Sequence, residues 1–412
     1  MQNPSRRSTV SLARPPACSG IQGWADLPDE LLHPIVARLG SFRDILGFAA
    51  TCPSWRTAYS SYPSKSTFRT KFPPLLIQPR ARHVQGPLVP STDGCHELLK
   101  CKVIDPANPN TVLHCQIPRE TLEWLTCIGS SYGNLIYYRD GYCRIVDVFT
   151  GVEVSAPRLP PSAKCSIYRC NGILTAPVTS PDSHLLVSTS TYHKSYLFDW
   201  PVGSDSWSQA QFPYMYTDQI VEFNGQFILS DGNGWFHSVQ MAPQLGLQEI
   251  TTDKVGWSQE HRDMTTLVVC GDMLIVSIPF PRELYRLDVS TEPATVLPME
   301  KLDDWALFLG AEPNGMPLSC MSPEKWGGRS NTLYCADDGS QPCTFHGLLE
   351  EPDPVLDTPP VDCDHWNPPL SRAHRDCYSD PWAIRWEGEQ DPVQLALPLW
   401  LYPSMFYYGA GE

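Results

Sequence analysis

The chain has 412 residues, 30 basic and 45 acidic side chains, and a formal net charge of −15. Charged residues make up only 18%, prolines number 41, and there are 13 Trp, 17 Tyr and 14 Phe, which excludes a coiled coil, a disordered chain and a carrier of nucleic-acid phosphates. No run reaches the ~18 apolar residues that span a bilayer, so neither nucleic acid nor membrane is expected as a partner.

Residues 1–22 contain Arg6, Arg7 and Arg14 and no acid. They lack the apolar core of a secretory signal and are expected to form a disordered leader, with an Arg/Ser-rich transit peptide as the alternative. The 15 cysteines include no CxxC pair, and no Asn-x-Ser/Thr acceptor occurs. Both fit a reduced compartment, the cytoplasm and/or nucleus.

Residues 23–62 carry helical grammar. Pro28 suits the start of a helix, and Asp29 and Glu30 complement its dipole. Leu31, Leu32, Ile35, Val36 and Leu39 recur at helical spacing. Ser41 and Asp44 precede a second apolar helical run, and Pro53-Ser54-Trp55-Arg56 opens a third. Three short helices bury little surface alone, so several apolar residues are expected to face a partner. Trp55 is expected in the core. Residues 63–71 read as a linker.

From Phe72 to Pro403 the pattern changes to strands separated by Asn/Asp/Gly turns. Gly133–Gly151, Val221–Gln240 and Leu267–Ile278 each read as strand, tight turn, strand. Glycines that mark such hairpins, at 133, 172, 225, 271 and 310, recur at intervals of 39 to 53 residues. That is near the length of a four-stranded propeller blade and gives six or seven blades. Trp200, Trp207, Tyr214, Tyr216, Trp235, Trp257, Trp305 and Trp326 are expected to fill gaps between blades. Residues 404–412 read as a tail.

Charge is unevenly placed. Residues 57–92 hold five basic side chains and no acid, whereas 337–412 hold 14 acids and 3 arginines. The acidic stretch reads as a solvated surface loop, or as a docking surface for a basic partner.

Motifs of chemistry are scarce. Gly129-Ser130-Ser131-Tyr132-Gly133 matches GxSxG, but a nucleophile elbow needs a helix after its serine, and Asn134-Leu135-Ile136 reads as a strand. Asp231-Gly232-Asn233-Gly234 reads as a hairpin turn. Cys343, His346, Cys363, His365, His374 and Cys377 are zinc-ligand types at short spacings, yet their loop-like context without CxxC favours scattered residues of an insertion. No cofactor and no catalytic residue is expected.

The helical region resembles an F-box. The match is carried by Asp26-Leu27-Pro28-Asp29-Glu30-Leu31-Leu32, Ile35, Arg38-Leu39, Asp44-Ile45-Leu46, Phe48-Ala49-Ala50, Cys52 and Ser54-Trp55-Arg56. Pro34, inside the first helix, departs from the pattern and removes one backbone hydrogen bond. The larger region resembles the propeller of plant F-box proteins of the KIB type. Its matching stretches include Pro73–Ile77, Cys127–Ile136, Phe149–Gly151, Phe223–Phe227, Tyr285–Asp288, Ala306–Gly310 and Asn331–Cys335.

The resemblance implies a small all-α F-box followed by an all-β propeller. It further implies a non-catalytic substrate-recognition subunit of an SCF-type cullin ubiquitin ligase. The F-box would bind a Skp-type adaptor through Leu27, Pro28, Leu31, Ile35, Leu39 and Ile45, and the propeller would hold a protein substrate. Two other readings stay open: a propeller-scaffold enzyme, and an adaptor-binding protein without ubiquitin-ligase output.

Overall fold

The computed structural model describes residues 23–79, 98–108, 110, 112–118, 126–160, 170–190, 194–213, 217–231, 234–253, 265–278, 283–310, 316–336, 344–347 and 399–407. The leader at 1–22 and nearly all of the acidic stretch lie outside them. The chain divides into two compact units between Pro63 and Ser64.

The first unit is helical. A 3-10 turn at Trp24–Asp26 leads into α1 (Asp29–Val36), α2 (Phe42–Thr51) and α3 (Pro53–Ser61). Ser41 caps α2 by accepting from the Asp44 N–H at 3.1 Å, as the Ser-x-x-Asp spacing predicts. Leu32 and Val36 of α1, Phe42, Ile45 and Phe48 of α2, and Ala58 and Tyr59 of α3 are buried. Polar ties fasten α1 to α3. His33 Nε2 donates to the Ala58 carbonyl and to Ser61 Oγ, each at 3.1 Å. Ser61 in turn donates to Asp29 Oδ2 at 2.8 Å. Trp55 is half-buried, with its ring 4.7 Å from that of Phe48 and its indole N–H on the Trp24 carbonyl at 2.8 Å. Helix α1 runs through Pro34. The carbonyl that Pro34 leaves unserved belongs to exposed Glu30, where water can replace the lost donor.

The second unit is a six-bladed β-propeller, which settles the count of six or seven. Its strands follow in chain order. They begin with β1 (Leu75–Pro79), β2 (Leu98–Ile104) and β3 (Val112–Pro118). The next blade holds β4 (Thr126–Ser131), β5 (Asn134–Arg139), β6 (Tyr142–Asp147) and β7 (Glu153–Ser155). Then come β8 (Cys170–Leu174), β9 (His184–Ser190), β10 (Lys194–Pro201) and β11 (Ser208–Pro213). The fourth blade is β12 (Thr217–Phe223), β13 (Gln226–Asp231), β14 (Phe236–Gln240) and β15 (Gly246–Ile250). The fifth is β16 (Thr266–Cys270), β17 (Met273–Ile278), β18 (Glu283–Asp288) and β19 (Thr295–Met299). The sixth is β20 (Trp305–Leu309), β21 (Leu318–Met321), β22 (Thr332–Cys335) and β23 (Thr344–Gly347).

The ring closes on itself. Strand β24 (Leu399–Leu401) pairs antiparallel with β1 and completes the first sheet in the order β24-β1-β2-β3. The sixth blade departs from simple succession. Its order is β21-β20-β22-β23, with β20 and β22 parallel.

Turn chemistry explains the hairpins. Tyr132-Gly133 between β4 and β5, and Asn224-Gly225 between β12 and β13, have positive φ at both positions. This is the two-residue turn whose twist matches the strands it joins. Two of the glycines expected to mark hairpins lie elsewhere. Gly310 follows the end of β20, and Gly172 lies inside β8. A Cβ on Gly172 would stand 2.9 Å from Ile128 Cδ1, and one on Gly129 would overlap the Gly172 carbonyl. Glycine there permits close approach of neighbouring inner strands, not a turn.

The core lies between blades. Ile128, Ile136 and Ile145 pack with Leu185, Phe198 and Trp200, and Val221 and Phe236 with Leu274 and Val296. Strands such as β8 and β13 are therefore buried along nearly their whole length, while outer β11 is largely exposed. The expected aromatic filling is found for Trp200, Trp207, Trp305 and Trp326, which join these clusters. Trp235 is half-buried at the turn before β14, and Tyr214, Tyr216 and Trp257 lie outside the described residues.

Every junction between blades also carries a polar tie. Ser404 Oγ donates to Asp147 Oδ2 at 2.7 Å, and Ser131 Oγ accepts from the Leu174 N–H at 3.1 Å. Asn171 donates to the Thr217 carbonyl at 2.9 Å. Gln219 binds both backbone groups of Leu267. Ser319 Oγ donates to the Val269 carbonyl, and the Trp400 indole to that of Leu309.

Two segments at the edges of the propeller hold more structure than their sequence suggests. Residues 63–71, read as a linker, contain a 3-10 turn at Lys65–Thr67 and α4 (Phe68–Lys71). Residues 404–407, read as tail, begin with a 3-10 turn at Ser404–Phe406. Phe68, Phe72 and Phe406 are buried, with Phe68 stacked on Phe72 at 5.6 Å and 5.6 Å from Phe406. These turns are too short to show a period, and they fold because rings from two distant parts of the chain, Phe68 with Phe72 and Phe406, meet.

Candidate partner-binding surface

Helix α1 has apolar residues on more of its circumference than its own unit covers. Leu32 and Val36 are buried, but Leu31 is 55% exposed and Ile35 37% exposed. The latter two are four residues apart and so share a face. Trp24, in the turn before the helix, is 78% exposed. Pro28 is exposed, while Leu27 and Leu39 are half-buried. Ile45 differs from the other five residues named for adaptor binding, since its side chain is fully buried in the helical core. It does not present itself at the surface. Trp24 belongs to the exposed set although helical periodicity, which starts only at Pro28, gives it no place in the pattern.

Exposed apolar side chains on consecutive turns of a short helix suit a partner of matching apolar character. The first turn adds Asp29 and Glu30 at the positive end of the helix.

On the propeller, a second cluster sits at the rim carrying the Tyr132-Gly133 turn. Tyr132 Oη donates to Glu222 Oε2 at 2.7 Å and to the Thr175 carbonyl at 3.2 Å. Its ring meets Tyr407 edge-on at 5.3 Å, and the Arg69 guanidinium lies 4.7 Å above the Tyr407 ring. Burial, followed by the Glu222 hydrogen bond, pushes the Tyr132 phenol far above its ordinary range, so it remains a donor. Burial raises Tyr407 as well, against the opposing Arg69 charge. Arg69 and Tyr407, the first and last of these residues, lie 338 positions apart in sequence, and no local motif announces the cluster.

The serine of the GxSxG match is a strand residue. Ser131 ends β4, is buried, and its hydroxyl accepts from the Leu174 N–H. Of the cysteine–histidine cluster, Cys343, Cys363, His365, His374 and Cys377 lie outside the described residues, and only the backbone of His346, in β23, lies within them. Among the described residues no group of three metal-ligating side chains occurs, and no helix is long and apolar enough to cross a membrane.

Comparisons with known proteins give one strong match and several distant ones. No curated protein matches the chain. Among solved structures, apo AztD from Citrobacter koseri shares 13% identity at a TM-score of 0.28, over 48% of this chain and 52% of that one. Glutaminyl cyclase from Myxococcus xanthus shares 11% at 0.26, over 53% and 83%. The computationally designed Ika8 protein shares 12% at 0.28, over 47% and 54%. The chain thus spans about half the length of the first of these structures. The family model described as KIB1-4 beta-propeller matches residues 103–353, more than half of the chain. With six closed blades and that match, the chain belongs to the KIB1-4 β-propeller family.

Proposed function

We propose that this protein is the substrate-recognition subunit of an SCF-type cullin ubiquitin ligase. In this reading the helical unit is an F-box that docks a Skp-type adaptor, and the propeller holds the target. The observation that carries it is the uncovered apolar face of α1. Leu31 and Ile35 stand exposed in a unit whose core is already filled by Leu32, Val36, Phe42, Ile45 and Phe48. A helix that is apolar beyond its own core needs a second surface to cover it. The order of residues from Asp26 to Arg56, which resembles an F-box, and the KIB1-4 propeller behind it support a Skp-type adaptor as that surface.

The protein then performs no bond chemistry. The adaptor ties the helical unit to the cullin, and the propeller keeps the target within reach of a ubiquitin-charged enzyme. Tethering turns a bimolecular encounter into one at high effective concentration. The bound target is a protein, and the propeller loops set which one.

Co-expression of the full chain with a Skp-type adaptor tests the reading. Affinity purification of the chain is expected to retain the adaptor in stoichiometric amount, and Leu31→Asp with Ile35→Asp is expected to release it. A folded wild-type chain that never retains the adaptor would contradict the assignment.

A further inference from the structure

Strands β2 and β3 pair in antiparallel register, and Cys101 faces Cys115 across the ladder. Among the described strands this is the single ladder position at which two cysteines oppose each other. Both are free thiols and both are buried, Cys101 fully and Cys115 at 6% exposure. Directly opposed residues of a ladder carry their side chains on the same face, so the two thiols are neighbours. Strand β3 is the outermost of its sheet, so Cys115 lies on the blade's edge strand and Cys101 one strand further in.

Directly opposed residues of an antiparallel pair have Cα atoms about 4.5–5.5 Å apart. A disulfide needs about 4.4–6.8 Å, so the backbone already holds these thiols at bridging distance. Their Cβ atoms, about 4.5–5.5 Å apart in such pairs, exceed the roughly 3.5–4.5 Å of a relaxed bridge. A bond here is therefore strained, and strained bridges are readily reduced again.

We infer that Cys101 and Cys115 form a reversible dithiol–disulfide site that closes when a small peroxide reaches Cys115. The Cys101 thiol beside it holds the Cys115 thiol below its ordinary range, which favours its thiolate. Cys101 is raised, first by Cys115 and then by burial. The Cys115 thiolate attacks one peroxide oxygen, the O–O bond breaks, and hydroxide leaves and takes a proton as water. The resulting sulfenic acid is attacked by the Cys101 sulfur. The S–S bond forms, the S–O bond breaks, and a second water departs with the Cys101 proton. Two thiols and one hydrogen peroxide thus give one disulfide and two waters. The bridge would staple the outer hairpin of the blade that closes the ring.

The test uses the native full-length chain, treated with hydrogen peroxide and then blocked with N-ethylmaleimide. Trypsin cuts after Lys100, Lys102 and Arg119, so the bridge joins the dipeptide Cys101-Lys102 to the peptide 103–119. That linked species is expected to form roughly tenfold faster than any other cysteine pair, as suits groups already held together, and to vanish with dithiothreitol. Dimedone is expected to label Cys115 in Cys101→Ser and to leave Cys101 unlabelled in Cys115→Ser. The wild-type digest needs no variant to fold. Recovery of Cys101 and Cys115 as maleimide adducts while other cysteines are oxidised overturns the proposal, as does equal dimedone labelling at both positions.

Discussion

Gln219 stands in for a missing strand partner of Leu267. Its side-chain amide donates to the Leu267 carbonyl at 2.9 Å and accepts from the Leu267 N–H at 2.8 Å. Both residues are buried, and they lie on the inner strands of neighbouring blades, β12 and β16. One side chain thereby satisfies a backbone donor and acceptor that no water reaches.

Gln219→Leu leaves both Leu267 groups unpaired. Each unpaired buried group costs about 1–3 kcal/mol, so the propeller is expected to unfold at clearly lower urea concentration. Gln219→Glu tests the two halves separately, because the carboxylate keeps an acceptor for the N–H but turns a second oxygen towards the carbonyl. It is expected to be no better than leucine at neutral pH and to recover partly in acid, where the carboxyl can donate again. Urea titrations of both variants at two pH values measure this.

Gly129→Ala is expected to destabilise the propeller although it adds a single methyl group. That methyl would overlap the Gly172 carbonyl of the next blade. Backbone cannot rotate away as a side chain can, so the two blades must separate. Overpacking of this kind costs about 1–3 kcal/mol or more. Gly151→Ala is the control for φ alone, since its φ is +73° and no atom lies within 4 Å of the added carbon. The larger fall in melting temperature is expected at Gly129.

Much of this fold is legible in the sequence because a propeller repeats. The Asn224-Gly225 and Tyr132-Gly133 turns announce their hairpins through residues that tolerate positive φ. The ragged period in the forties is the spacing from one blade to the next. The junction ties from Ser131 to Leu174, Asn171 to Thr217 and Gln219 to Leu267 span 43, 46 and 48 residues. The ties themselves are illegible, because a glutamine in a strand carries no mark of a backbone partner that far away. Gly172 misleads for a related reason: a glycine that admits a neighbouring strand reads like a glycine that turns. The parallel pairing of β20 and β22 leaves no periodic trace either. On α1 and α2 the pattern shows which residues are apolar but not which are covered, and so Ile45 of α2 is grouped with Leu31 of α1.

The two faces of α1 are expected to separate binding from stability. Leu31→Asp and Ile35→Asp alter exposed positions, so the far-ultraviolet spectrum and the melting curve are expected to stay unchanged. Adaptor retention is expected to fall by roughly tenfold or more, as at an anchor position of an interface. Leu32→Ala lies on the buried face and is expected to cost about 2–5 kcal/mol of the helical unit's stability. Calorimetry beside a pull-down distinguishes the two effects.

Asp105 gives the propeller a pH dependence of known sign. Burial raises its carboxyl above the ordinary 3.8, although the Ala107 N–H donates to it at 2.9 Å and opposes the shift. The folded chain therefore holds this proton more tightly than the unfolded chain. The stability it contributes is complete below the unfolded pKa and is lost as pH rises through the folded one. Asp105→Asn keeps an oxygen acceptor and removes the buried charge. The variant is expected to be more stable than wild type at neutral pH and to lose that advantage near pH 3, as paired melting curves at the two pH values would show.

The closing strand imposes an order on synthesis. β1 emerges from the ribosome more than 300 residues before β24, its inner neighbour in the sheet. Until Leu399–Leu401 arrive, the first blade presents an open hydrogen-bonding edge, and the five later blades have no fixed partner to shut against. An unpaired inner edge attracts other strands. A ribosome stalled before residue 399 would release a chain with most of its sheets formed and its ring unlatched, an intermediate that a chaperone can recognise and that truncation makes permanent.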